Sequence, residues 1–298
     1  MQDSGEDSGE GERYLVGSPP TAVIVTLTTD FGLRDGYVAA MKGAMLRLAP
    51  SLHMVDVTHE VPAQDVMSAG FTLRQVVPHF PEGTVHLVVV DPGVGTARRA
   101  IAARFEVAGD THVFVGPDNG VLALIAGTER VTEAVELPVA AEASATFHGR
   151  DVFGPAAARL AAGAMLSDVG SPIDGVTPLH WPQPRTDEQG VFGMILHVDQ
   201  FGNCVTNITR EQVERHSDGR PFKCYAGSAV FRTHRDTYGE VGAGDPLTLF
   251  GSTDLLEIAV NRGHASRLLS VERGDTVHLV FDAPPRPEPL ASELATNA

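Results

Sequence analysis

The chain is short of cysteine, of positive charge, of long apolar runs and of the familiar nucleotide and metal motifs. Each shortage removes a class of function. Two cysteines occur in 298 residues, Cys204 and Cys224. They form no CxxC pair and belong to no His/Cys cluster, so they read as reduced core thiols. A disulfide between them would need an oxidising compartment that nothing else in the sequence suggests. Lysine and arginine total 22 against 38 acidic residues, for a net charge of −16. Nucleic acid and anionic membrane both require a basic footprint, so neither is expected as a partner. No apolar run approaches the ~20 residues that a membrane span needs. Gly93-Val94-Gly95 is neither GxGxxG nor a glycine-rich loop ending in Gly-Lys-Ser/Thr, which argues against a phosphate cradle. Asp30, Asp56, His59, Asp91 and His148 offer metal-ligating side chains. They include no HxH or HxxxH pair, so no metal is expected.

What is present is ordinary for a globular protein: 43% hydrophobic and 20% charged residues, with enough length for one large core or two modest ones. Residues 1–20 are acidic, Gly/Ser-rich and almost free of apolar content, the composition of a disordered leader. The stretch 284–298 reads as a flexible tail. The start lacks the basic and apolar segments of a secretory signal, so a cytoplasmic location is expected.

Residues 22–28 (AVIVTLT) are β-branched and apolar without alternation, which suits a strand covered on both faces. Residues 35–48 place Val38, Met41, Met45 and Leu48 at helical spacing, with Asp35 as the expected N-cap. A short strand, MVDV (54–57), follows. A second helix from Asp65 carries Val66, Ala69, Leu73 and Val76 and ends before Pro78. TVHLVVV (84–90) is another strand, and more are expected at 100–107 and 112–115. Helices are expected near 119–126 and 151–163. The alternation predicts an α/β domain over 21–180 with right-handed crossovers and a mostly parallel sheet. From 167 to 190 the composition turns to Pro, Gly, Asp and Ser, as in a linker. Over 191–282 short strands and turns follow with no long helix, which predicts a smaller all-β barrel or sandwich.

Open α/β sheets place ligands at the turns that follow their strands. Three such turns join a carboxylate to glycine or proline: Thr28-Thr29-Asp30-Phe31-Gly32, Asp91-Pro92-Gly93-Val94-Gly95-Thr96 and Gly116-Pro117-Asp118-Asn119-Gly120. Asp favours turns for its own hydrogen bonds, so no one of them marks a site alone. Thr146-Phe147-His148-Gly149-Arg150-Asp151 precedes a helix, and an imidazole in so polar a loop suits acid–base work.

Seven blocks in order, VTLTTDFGLRDGYVAAMKGAML, VDVTHE, GTVHLVVVDPGVGTARRAI, GPDNGVL, TFHGRDVFGPAA, DQFGNCVTNI and GSTDLLEIAVN, span roughly residues 22–282. Together they resemble the S-adenosyl-L-methionine (SAM) hydrolases, or SAM hydroxide adenosyltransferases, relatives of the SAM-dependent fluorinase and chlorinase. The resemblance implies an N-terminal α/β domain and a C-terminal β-barrel. It also implies a homotrimer in which each SAM lies between one subunit's N-terminal domain and its neighbour's C-terminal domain. The implied reaction is hydrolysis of SAM to adenosine and L-methionine, with SAM as substrate and no cofactor. An Asp–Arg–His triad around the attacking water falls on Asp91, Arg98 and His148. Asp30 falls where the family binds the ribose hydroxyls, Asn203 where it bonds adenine, and Tyr238 where an aromatic ring stacks on it. Val260 falls at the adenine pocket. Asp199 and Ser252 fall where the methionine amino and carboxylate groups are held, with Asp35 near the amino-acid portion.

The departures bear on the nucleophile. The halogenases are similar but read YPATG where this chain reads DPGVG, and they lack the histidine of HGRD. Their tryptophan two residues after the FGN asparagine is Val205 here, and the arginine after the methionine-binding serine is Thr253.

SAM is a sulfonium, and attack at its C5′ carbon expels a neutral thioether, so the leaving group needs no acid. Water is the weak partner. It must be held in line and relieved of a proton, which an Arg–Asp–His cluster can do. Either His148 or Asp91 could accept that proton. Arg98 and Arg99 are adjacent, and physical chemistry alone does not separate them. Two alternatives stand beside the hydrolase: a SAM-dependent halogenase, and a non-catalytic protein that binds SAM or adenosine.

Overall fold

The computed structural model describes residues 24–232 and 234–282. The expected leader and tail lie outside the described residues. The chain divides after Leu179 into two compact units.

The first unit runs β1 (Ile24–Thr29), α1 (Tyr37–Leu48), β2 (His53–Thr58), α2 (Val66–Val76), β3 (Val85–Val89), β4 (Ala100–Val107) and β5 (Asp110–Pro117). It continues with α3 (Val121–Ala126), β6 (Val131–Glu136), α4 (Gly154–Ala161), α5 (Leu166–Val169) and β7 (Ser171–Pro172). Its seven-stranded sheet has the order β2-β1-β3-β5-β4-β6-β7. Strands β2, β1, β3 and β5 are mutually parallel, and the rest extend them by antiparallel pairs. The unbroken apolar runs of β1 and β3 are explained by cover on both faces. Val25, Leu27, Leu87 and Val89 pack against Met41 and Met45 of α1 and the alanines of α4. Val88 and Val90 face Ala69 and Leu73 of α2 and Val121 and Leu122 of α3.

Three local expectations are corrected. Asp35 does not cap α1: Gly36 takes the cap position without a side-chain bond. The ring of Tyr37 instead docks on Phe147 and Phe31, at 5.4 and 6.0 Å between centroids, so packing sets the helix entry. Leu48 is exposed, because the helix ends there, beyond the core that Met41 and Met45 fill. The helix expected over 151–163 begins as a π-helical turn, Gly149–Phe153, in which Gly154 N–H donates to Gly149 O. Pro155 follows at once; it has no N–H and crowds the preceding turn, which favours the wider loop. Asp65 does cap α2, accepting from Ser68 N–H at 3.0 Å.

The stretch expected to be linker holds α5, β7 and β8 (Arg185–Asp187). The second unit continues with β9 (Gly190–Val198), β10 (Cys204–Thr209), α6 (Arg210–Ser217), β11 (Phe222–Ala226) and β12 (Ala229–Phe231). It ends with β13 (Pro246–Phe250), β14 (Leu255–Val260), α7 (Ala265–Leu269) and β15 (Thr276–Phe281). The antiparallel order is β12-β11-β15-β9-β10-β14-β13. A bridge from His234, just past β12, to Thr248 on β13 brings the two edges together, so the sheet is barrel-like and nearly closed. Its core holds Val191, Ile195, Ile208, Ile258 and Leu279. Cys204 and Cys224 are free and buried there, and burial pushes their thiols up to about 11 and about 12. Among the described residues no helix is long and apolar enough to cross a membrane.

Candidate active site

The parallel register delivers the three acidic turns to one end of the first sheet. Thr29 pairs with Val89 and Leu87 with Val115, so Asp30, Asp91 and Asp118 each follow the carboxyl end of neighbouring strands. Asn119 ties two of the turns together, donating from Nδ2 to Val90 O at 2.9 Å.

Asp91, Arg98 and His148 converge. Arg98 Nε donates to Asp91 Oδ1 at 2.9 Å, and Nη2 donates to Asp91 Oδ2. The same Nη2 lies 2.8 Å from His148 Nδ1. The carboxylate and guanidinium side chains are only 5% and 10% exposed, and His148 is buried. Arg98 also lies over the Phe153 ring, 5.1 Å from its centroid. Arg99 goes elsewhere: Nε donates to Asp118 Oδ2 at 2.9 Å and Nη2 to Gly175 O at 3.0 Å. The structure thus separates two arginines that the sequence left equivalent.

Guanidinium nitrogens only donate, so His148 Nδ1 accepts. A neutral His148 therefore carries its proton on Nε2. Burial, and then the Arg98 charge, hold this imidazole below its usual value, while Asp91 and Asp151 pull the other way.

Two contacts seat the histidine loop. Gly95 has φ +75° and faces Ala145 O, which a β-carbon would meet at 2.7 Å. A β-carbon on Gly149 would come 3.1 Å from the Phe31 ring. Within the loop, Asp151 accepts from Ser144 N–H at 2.9 Å and from Arg150 Nε at 2.6 Å. The Arg150 bond, more than the Ser144 bond, holds the Asp151 carboxyl below its usual value against the cost of burial.

Asp30 and Asp35 line a groove of about 640 Å³ together with Phe31, Arg34, His59 and Glu60. Asp30 Oδ2 accepts from Gln64 N–H at 2.7 Å. Asp35 is exposed on the rim.

The remaining sequence-derived residues lie in the second unit. Asp199 Oδ1 accepts from Phe201 and Asn203 N–H at 2.9 and 2.8 Å, and Oδ2 accepts from Asn203 Nδ2 at 3.0 Å. Asp199 therefore braces the loop that presents Asn203. Tyr238 donates from its hydroxyl to Glu257 Oε2 at 2.8 Å. Burial first, then Asp199, raises the Glu257 carboxyl, and burial and Glu257 raise the Tyr238 hydroxyl. Ser252 is exposed on the turn between β13 and β14, and Val260 is buried at the end of β14.

Sequence reasoning missed the Phe31–Tyr37–Phe147 cluster, whose rings meet edge-on or tilted at 5.4 to 6.0 Å. An aromatic residue beside each polar block was the available signal. It also gave no role to Glu257, which only its contact with Tyr238 reveals.

The SAM hydroxide adenosyltransferase N-terminal family model matches residues 25–170, and its C-terminal partner matches residues 193–278. The chain belongs to the SAM hydroxide adenosyltransferase family. It is similar to the (R)-S-adenosyl-L-methionine hydrolase of Salinispora tropica, 44% identical over 262 residues, covering 86% of this chain and 97% of that one. The hydrolase of the same name from Thermus thermophilus is 40% identical over 267 residues, at 86% and 99% coverage. The fluorinase of an Actinoplanes species is 30% identical over 286 residues, at 85% and 96% coverage. A solved structure of a conserved protein from Thermotoga maritima superimposes with a TM-score of 0.79 at 37% identity, covering 87% of this adenosyltransferase-family chain and all of that one.

Proposed function

We propose that this protein hydrolyses S-adenosyl-L-methionine to adenosine and L-methionine by attack of water at C5′. The observation that carries the reading is the Arg98 guanidinium bridging Asp91 and His148 at the carboxyl edge of the parallel sheet. A fixed positive charge there lowers the pKa of a bound water and aligns it. The water oxygen bonds to C5′ as the C5′–sulfur bond breaks, and its electron pair neutralises the sulfonium. With His148 Nδ1 occupied by Arg98, that nitrogen is closed to an incoming proton. Asp91 is the acceptor: a carboxylate has about four lone-pair sites, and those left by Arg98 can take the proton. Proton removal of this kind contributes roughly 10²–10⁴-fold. Methionine departs as a neutral thioether that takes the bond pair on sulfur, so no cofactor is required.

Asp30 would receive the ribose hydroxyls, and Asp35 would lie near the amino-acid end. Asn203, Tyr238 and Val260 would hold adenine, and Asp199 and Ser252 the methionine amino and carboxylate groups. In this reading the chain is a homotrimer, and these second-unit residues act on a neighbour's substrate. Mixing two inactive proteins, one Arg98→Met and the other Asn203→Ala, would then restore activity at mixed sites. Two free buried thiols suit a reducing compartment such as the cytoplasm.

The likeness to fluorinases gives a second reading, in which halide is the nucleophile. A halide needs donors and no base, and the Asp91–Arg98–His148 set favours water over it. Chromatography after incubation with SAM decides. Adenosine and methionine in equal amounts, with or without added halide, support the hydrolase. A 5′-halogenated nucleoside appearing only with halide supports the alternative, and binding without turnover would reduce the protein to a sensor.

A further inference from the structure

Outside the triad, one buried polar chain is not absorbed by the function above. It starts at the surface and ends under Asp30. Lys42 Nζ donates to Asp56 Oδ2 at 2.7 Å, and Asp56 Oδ1 faces His59 Nε2 at 3.1 Å. On the other side of the ring, His59 Nδ1 lies 2.8 Å from Thr29 Oγ1. Thr29 Oγ1 in turn accepts from Phe31 N–H at 3.3 Å.

Chemistry fixes the direction of these bonds. An ionised carboxylate only accepts, so its charge 3.1 Å away favours the proton on His59 Nε2, an electrostatic contact rather than a hydrogen bond. The Thr29 hydroxyl is fully buried, and its proton needs an acceptor, which Nδ1 supplies. That leaves a Thr29 lone pair for Phe31 N–H. The composition is that of a hydrolase triad, but Thr29 has no exposure to attack anything. The chain is a brace.

What it braces is the Thr29-Asp30-Phe31 turn. The backbone of the same segment grips the turn as well: Gly32 N–H donates to His59 O at 2.7 Å, and Val61 N–H donates to Thr29 O at 3.3 Å. A third tie reaches the carboxylate itself. Gln64 holds the left-handed conformation, φ +65°, and its N–H meets Asp30 Oδ2. A non-glycine residue there is uncommon and has to be held by its surroundings. One carboxylate oxygen is taken and the other, Oδ1, is left to the groove.

We infer that His59 is a positioning residue for nucleoside recognition: through Thr29 it fixes the turn that presents Asp30 to a vicinal diol. The inference rests on the reading of Asp30 as the ribose-binding carboxylate. It adds that discrimination between a diol and no diol is set by a side chain that does not touch the sugar.

The test compares binding of adenosine with binding of 2′,3′-dideoxyadenosine by calorimetry, on the full-length protein. A purely structural role for His59 would weaken both ligands alike and leave their ratio unchanged. His59→Leu removes the acceptor for the Thr29 hydroxyl and is expected to reduce the preference for adenosine by about tenfold or more, the worth of a hydrogen bond to a charged group. His59→Asn keeps an acceptor near the Nδ1 position and is expected to retain most of the preference. Thr29→Val, close in shape, is expected to behave as His59→Leu, and it serves if that variant does not fold. A folded His59→Leu or Thr29→Val protein with the wild-type ratio overturns the inference. Asp30→Ala is the separate arm: if it leaves the ratio unchanged, the ribose reading of Asp30 itself is wrong. If Asp30→Ala abolishes the preference and neither brace variant does, only the role of His59 is lost.

Discussion

Gly95 lies against the carbonyl of Ala145, so close that a β-carbon at Gly95 would come 2.7 Å from that oxygen. This is the contact by which the turn carrying Asp91 and Arg98 meets the loop carrying His148, 50 residues later in the chain for the Arg98–His148 bond. The first expectation follows from it. Gly95→Ala adds a left-handed alanine, a cost of about 1–2 kcal/mol, and also pushes the loop away. A displacement on the order of 1 Å in a catalytic group can cost about a hundredfold in rate, and kinetics should show a loss of that order. Gly83 is the control: it too has positive φ, but nothing stands within 4 Å of its missing β-carbon. Gly83→Ala should lower the melting temperature and leave turnover intact.

The two neighbouring arginines should separate in the same way. Lysine cannot reproduce a planar fork that serves a carboxylate and an imidazole together. Arg98→Lys is expected to lose about a hundredfold or more in kcat, the lower bound for losing proton-transfer assistance. Arg99→Lys touches only Asp118 and Gly175 O, so it should change thermal stability and spare kcat. Steady-state kinetics and melting curves on both proteins check this.

How much of this was legible in the chain divides along physical lines. β1 and β3 were legible because strands buried on both faces must be apolar throughout, and α2 because Asp65 announces its start. The three acidic turns were legible because ligand turns follow parallel strands. The choice between Arg98 and Arg99 was not. Successive residues in an extended segment point to opposite sides, and only the fold says which side holds Asp91 and which Asp118. Pairings such as Thr29 with His59 and Tyr238 with Glu257 leave no local period, because each joins a strand residue to one in a turn distant along the chain. Asp35 misled because a carboxylate just before an amphipathic run usually caps it, whereas here ring packing on Tyr37 starts the helix.

The pH profile should carry the signature of His148. Its folded-state value lies below the ordinary 6.5, chiefly because of burial and Arg98. The neutral ring is the one that accepts from Arg98, so activity is complete at neutral pH. It should be lost only as pH falls through a midpoint below 6.5. A kcat/KM profile whose acid limb is centred at or above that value would contradict the assigned hydrogen bond.

A histidine pair in the middle of the first sheet, His86 and His112, should govern acid stability. His86 Nδ1 bonds Thr26 Oγ1 at 2.8 Å, and Nε2 lies 3.3 Å from His112 Nδ1. Burial, reinforced by His112, pushes His86 down to about 3. The folded value is depressed, so the contribution of neutral His86 is whole above about 6.5 and is lost as pH falls toward 3. Urea unfolding over that window should lose about 1.4 kcal/mol per pH unit through His86. His86→Gln has no proton to take up and should reduce the slope by that amount.

In the proposed mechanism, water held by Asp91, Arg98 and His148 attacks C5′ of S-adenosyl-L-methionine. Incubation with the substrate in heavy-oxygen water, followed by mass spectrometry of the products, tests it most directly. One heavy oxygen in the 5′-hydroxyl of adenosine, none in methionine, and loss of that product in Arg98→Lys is the expected result. An unlabelled adenosine, a label carried by methionine, or an untouched substrate would rule out attack of water at C5′.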